Sequence, residues 1–282
     1  MVRQDGAERN DPVVLAGVFV LVVGAVLALG LATRGTESRV ISGFALPVAD
    51  SSRPRAAQRV AGHQLMTSPV SLTPVTCELP RFDQDDARLR LYYEAGLTCL
   101  SRAWEPVLTA GGTSPEPARL DTTPGTEDGP CGAAPGGEEV VAYYCGSDRT
   151  VHMITERLRE VGGDAPTTHL ATLAHEYGHH VQAVSGLLRA AQVDGATDLE
   201  MSRRVELQAD CFAGMFLAAA HGSIGADLVA LVLEDFGRSA GEDPADNTHG
   251  SGSSRARWVE RGLAENSTAA CNTFAAPASE IG

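Results

Sequence analysis

The sequence predicts an α+β fold, mostly helical with one small β-hairpin, preceded by a single transmembrane helix. Three observations carry this. Apolar residues recur at three- and four-residue steps through residues 83–108, 167–184 and 198–220, the period of helices buried along one face. Two β-prone runs, 139–145 and 150–155, flank the turn Gly146-Ser147-Asp148, the pattern of a hairpin. Near the N-terminus, residues 13–32 carry no charge and are almost wholly Val, Leu, Ala, Gly and Phe, long enough as a helix to span about 30 Å of hydrocarbon.

Composition narrows the function. The 282 residues suffice for one domain of ordinary size plus appendages. A net charge of -14 argues against a nucleic-acid partner, because neutralising phosphates needs a basic face. All 22 basic residues are arginine, which excludes a lysine Schiff base and a P-loop lysine.

In chain order, residues 1–12 form a short tail and 13–33 the membrane anchor. A cleaved signal peptide is the rival for that segment, but its apolar run is usually shorter and follows a basic region, whereas here Arg3 and Arg9 are offset by Asp5, Glu8 and Asp11. Arg34 and Arg39 on the far side match Arg3 and Arg9, so charge does not orient the anchor. Cysteine does. Cys77, Cys99, Cys131, Cys145, Cys211 and Cys271 all follow the anchor and contain no CxxC pair, a usage suited to disulfides in an oxidising compartment. The expectation is a single-pass cell-membrane protein with its globular domain, residues 76–282, outside the cytoplasm. Residues 34–75, rich in Ser, Pro, Arg and Ala, read as a flexible linker.

Within the domain, helix 83–108 opens on Asp83, Asp85 and Asp86, where the helix dipole favours acids, and its Tyr92, Tyr93 and Trp104 are expected to pack. Residues 111–137 form a Gly- and Pro-rich loop around Cys131. The hairpin is either structural or offers an edge strand to an extended peptide, with Tyr143 or Tyr144 bordering the cleft. Thr167 or Thr168 can cap a helix running to Val184. Helices over 198–220 and 224–236, a polar loop 241–254 and a short helix 255–264 complete the domain.

The chemistry is concentrated in HExxH, His175-Glu176-Tyr177-Gly178-His179. On a helix, residues four apart share a face, so His175 and His179 can meet one metal ion while Glu176 reaches a water beside it. The adjacent His180 points elsewhere, to a supporting or surface position. On the next helix Glu206 and Asp210 are also one turn apart. Glu206 supplies a third ligand, and Asp210 accepts a hydrogen bond from the other nitrogen of a ligating histidine, His175 by preference. The plainer alternatives are histidines satisfied on a buried face, and Glu206 paired with Arg203 or Arg204 at the surface.

HExxH followed by ExxxD resembles the glutamate-type zincins. More closely, HEYGHHVQ, VELQADCFAG, THGSGSSRARW and CNTF, with CELPRF and AYYCGSD ahead of them, resemble the bacterial neutral zinc metallopeptidase family over residues 76–274. The resemblance implies a zincin-like fold, one zinc ion held by His175, His179 and Glu206, Glu176 as general base, and a peptide or protein substrate. It also implies an oxyanion donor, either His249, within the family's third motif, or Tyr177. The family's spacing suggests the pairs Cys77–Cys99, Cys131–Cys145 and Cys211–Cys271. The competing class is a zincin-fold binding or scaffold protein at the cell surface, without turnover.

Overall fold

The computed structural model describes residues 45–46, 60–123, 131, 140–193, 199–238 and 247–282. The expected anchor lies outside them; among the described residues no helix is long and apolar enough to cross a membrane. The fold is mostly helical with one small sheet. Its elements are β1 (Ala45–Leu46), α1 (Gln64–Thr67), α2 (Asp86–Ala110), β2 (Arg119–Asp121), β3 (Ala142–Cys145), β4 (Thr150–Met153), α3 (Thr155–Gly162), α4 (Pro166–Ser185), α5 (Leu187–Val193), α6 (Leu199–Ile224), α7 (Ala226–Arg238) and α8 (Gly252–Glu265).

The hairpin forms where the two β-prone runs flank their turn: β3 pairs antiparallel with β4, with Tyr143 opposite His152. It is not the edge of the sheet. The strand order is β1-β3-β4-β2, both outer strands joining in parallel, so each hairpin strand has a neighbour on both sides, β1 covering β3 at Tyr144 and Cys145. Tyr143 and Tyr144 are 3% and 0% exposed and pack into hydrophobic clusters. Tyr143 stacks on His152 with ring centroids 4.4 Å apart, and Tyr144 turns inward to His180.

Helix α2 starts three residues later than its acidic cluster suggests, because the Asp85 carboxylate caps it by accepting from Arg88 N at 3.2 Å. Its Tyr92, Tyr93 and Trp104 are core residues. Helix α4 begins at Pro166, whose fixed φ suits the first helical position, so neither threonine caps it; Thr168 donates to Asp235 instead. Helix α8 starts at Gly252, inside the expected loop, because Ser251 accepts from Ser254 N. Residues 60–75, assigned to the linker from composition, belong to the domain. Val60, Leu65, Met66 and Leu72 are buried in the main core, and Asn266 hydrogen-bonds both Leu72 N and Leu72 O.

Three disulfides form in the suggested pairs, Cys77–Cys99, Cys131–Cys145 and Cys211–Cys271, and no described cysteine is free. The last ties α6, one residue beyond Asp210, to the C-terminal segment. Helices α4, α6 and α8 then pack side by side at unusually close range, because glycine stands at the crossings. A Cβ on Gly178 of α4 would lie 2.8 Å from the Ala209 carbonyl of α6, and one on Gly214 or Gly262 would run into the Val259 or Cys211 carbonyl across the α6–α8 contact. These crossings bring the two motif helices close enough for their side chains to share one point.

Candidate metal centre

At that point His175 Nε2 and His179 Nε2 are 3.1 Å apart, and Glu206 Oε2 stands 3.2 Å from the first and 3.0 Å from the second. All three side chains are buried. The alternative partners of Glu206 are engaged elsewhere: Arg203 Nε donates to Asn247 O, and Arg204 pairs with Glu200.

Protonation makes this cluster informative. Asp210 Oδ1 lies 2.7 Å from His175 Nδ1; Arg255, with burial opposing it, holds the Asp210 pKa down to about 2, so the carboxylate can only accept and His175 Nδ1 donates. Gln182 Nε2 donates to Val205 O at 2.7 Å, which turns its Oε1 toward His179 Nδ1 at 2.9 Å; His179 Nδ1 therefore donates too. In neutral imidazoles both Nε2 atoms then carry lone pairs, and they converge with a carboxylate oxygen. Three electron-rich atoms at such range call for a positive charge among them, either a bound cation or, without one, a proton on His175, whose pKa burial lowers but Asp210 and Glu206 raise further, to about 9. The fit to zinc is close: ligands about 2.0–2.1 Å from a tetrahedral ion stand about 3.3 Å from one another.

Glu176 is fully buried, and among the described residues neither of its oxygens has a hydrogen-bond partner. Burial raises its pKa to about 7, against the lowering influence of His175 and His179. A buried carboxylate without partners is costly, and this one sits beside the cluster without joining it. His249 enters from the loop before α8, with Nε2 3.4 Å from Glu206 Oε2. Thr248 Oγ1 lies 3.1 Å from its Nδ1. Burial lowers its pKa to about 4, the nearby Arg255 adding to this and Glu206 opposing it, so the ring is neutral. Tyr177, the other oxyanion candidate, faces away and donates to Ser101 Oγ on α2.

Two participants were not assigned from sequence. Gln182 orients His179, and Arg255, 1% exposed, grips Asp210. The signal for Arg255 was present: it shares the buried stripe of Trp258, Val259 and Gly262 on α8, and a charge on an apolar stripe needs a buried counter-charge. His180 is not a surface residue. It is wholly buried, between Tyr144 Oη at 3.1 Å and Glu116 O at 2.9 Å. A second possible ligand set, Cys145, Asp148 and His152, is incomplete because the Cys145 sulfur is bonded to Cys131.

His169 and His180 make a prediction for acid. Burial, reinforced by Arg159 and Arg149 respectively, lowers each pKa from 6.5 to about 4. The unfolded chain takes up these protons below its own pKa while the folded chain refuses them. Their contribution is therefore complete above pH 6.5 and lost as pH falls to about 4, at about 1.4 kcal/mol per pH unit for each. Urea unfolding of the zinc-free domain should show that fall, and a His169→Phe variant should reduce its slope by about one proton. A stability flat across the window would contradict the neutral assignment.

HExxH and ExxxD on adjacent helices thus share one buried candidate metal centre, beside a carboxylate that has no hydrogen-bond partner among the described residues. The chain belongs to the family whose model, described as "Putative neutral zinc metallopeptidase", matches residues 83–274. An uncharacterised protein of Mycobacterium tuberculosis H37Rv is 28% identical over 205 residues, 61% of this chain and 66% of its own length. An uncharacterised protein of Escherichia coli K12, YpfJ, is 34% identical over 173 residues, 51% of this chain and 57% of its own. The chain thus spans less than two thirds of the length of these curated relatives. No solved structure matches.

Proposed function

We propose that the chain is a zinc-dependent peptidase in which His175, His179 and Glu206 hold the ion and Glu176 is the general base. The observation that carries this is the convergence of three lone-pair atoms next to a buried, unpartnered carboxylate. Zinc, when bound, supplies a Lewis acid that polarises a peptide carbonyl and acidifies a water. Glu176, buried beside the cluster with neither oxygen engaged by a described residue, takes the proton of the attacking water and returns it to the leaving amine. In the tautomer that accepts the Thr248 hydroxyl at Nδ1, His249 carries its proton on Nε2, which faces the Glu206 carboxylate and the cluster, where it can donate to the carbonyl oxygen as that oxygen gains charge. Asp210 and Gln182 keep the two ligating rings in the tautomer that presents Nε2 to the metal.

A binding protein without turnover is the less economical reading, since a structural metal site has no use for a buried base held without partners. Placement at the cell surface is part of the proposal. The uncharged run at 13–32 and three disulfides in the domain support it. The test is digestion of a peptide library by the zinc-loaded chain, with products read by mass spectrometry with and without chelator. New termini that vanish with chelator and return with zinc are expected; zinc-loaded protein that cleaves nothing would refute peptidase activity.

A further inference from the structure

Arg255 reaches the centre through Asp210. Its Nε stands 2.8 Å from Asp210 Oδ2 and its Nη2 2.8 Å from Asp210 Oδ1, the same Oδ1 that receives His175 Nδ1–H. A bidentate fork fixes the rotation of the carboxylate it grips, so Arg255 decides where Oδ1 meets His175. The side chain is braced in turn, its guanidinium 5.4 Å from the ring centroid of Phe236 on α7. Arg255 also lies in the first turn of α8, and the loop entering α8 carries His249. One ion pair therefore connects the helix that places His249 with the carboxylate that orients His175.

We propose that Arg255 is a positioning residue for the zinc-dependent reaction. Through Asp210 it sets the His175 ring, and through α8 it sets how His249 meets the reacting carbonyl. This rests on the peptidase reading and adds the link between its two halves. The plainer role, neutralising a buried Asp210, makes a different prediction, because lysine would also neutralise that charge but cannot form the fork.

The experiment compares the zinc-loaded full chain with Arg255→Lys, His249→Ala and the double variant. It measures zinc affinity by chelator competition, kcat and KM at saturating zinc, and melting of the zinc-free forms. Arg255→Lys is expected to lose about 10- to 100-fold in zinc affinity, the usual effect of disturbing a ligand's carboxylate partner. At saturating zinc its kcat should fall about 10-fold with KM nearly unchanged, as for a contact made only in the transition state. On the His249→Ala background the same substitution should lower kcat by less than it does in the wild-type background, since one of the two groups it positions is gone. Wild-type zinc affinity and kcat in Arg255→Lys, with only melting lowered, would overturn the proposal. Should that variant not fold, Asp210→Asn with Arg255→Gln leaves no unpaired charge in the core, and wild-type zinc affinity in that pair would overturn it equally. A wild-type chain that neither binds zinc nor cleaves would remove the peptidase reading first, and this inference with it.

Discussion

Glu176→Gln is expected to keep its zinc and lose about 10³-fold in kcat, the middle of the range for general acid–base catalysis. Glutamine matches glutamate in shape, and neither oxygen of Glu176 holds another group in place, so the substitution leaves His175, His179 and Glu206 where they are. What disappears is the ability to accept a proton near neutral pH. Stability should move the other way. A fully buried carboxylate, with a pKa raised to about 7 by that burial, destabilises the fold it sits in, so the zinc-free form of the Glu176→Gln variant should melt higher than wild type, as sites kept for function commonly allow. Metal analysis, steady-state kinetics and calorimetry on the same preparations check all three outcomes. Activity within a few-fold of wild type would show that another group takes the proton. A parallel loss of zinc would place Glu176 among the ligands.

Much of this centre was legible in the sequence because helical spacing is local. Residues one turn apart share a face whatever surrounds them, so His175 with His179, and Glu206 with Asp210, could be paired from numbering alone, and two acids on an apolar helix demanded partners. The hairpin was legible for a similar reason, since two β-prone runs on either side of a short turn are local signals. Its place in the sheet was not: β1 and β2 join from segments about 100 and 23 residues before it, and such short strands carry almost no periodicity. Residues 60–75 read as linker because Val60, Leu65, Met66 and Leu72 are scattered among polar residues and become core only against a segment nearly 200 residues away. Arg255 was overlooked because its meaning depends on Asp210, on another helix. The glycines were overlooked because a missing side chain has no periodicity of its own.

Gly178→Val is expected to abolish stoichiometric zinc binding, although it alters no ligand. A Cβ at this position would stand 2.8 Å from the oxygen, 2.9 Å from the Cα and 3.0 Å from the Cβ of Ala209. No rotamer relieves a clash with backbone, so α6 must retreat from α4. Ala209 lies between Glu206 and Asp210, and any retreat carries both away from His175 and His179, whereas zinc tolerates about 0.2 Å in its ligand distances. Alanine separates the site from the fold. In Gly178→Ala, overpacking costs about 1–3 kcal/mol and the better helix former recovers about 1 kcal/mol, so melting should fall by no more than about 8 °C while zinc affinity falls at least about 10-fold, as when ligand geometry is disturbed. Gly222, on the same α6, is the control, because nothing lies within 4 Å of a Cβ placed there. Gly222→Ala should gain up to about 1 kcal/mol from helix propensity and bind zinc as wild type does. If Gly178→Val bound zinc equally well, the close crossing of α4 and α6 would not be what assembles the ligand set.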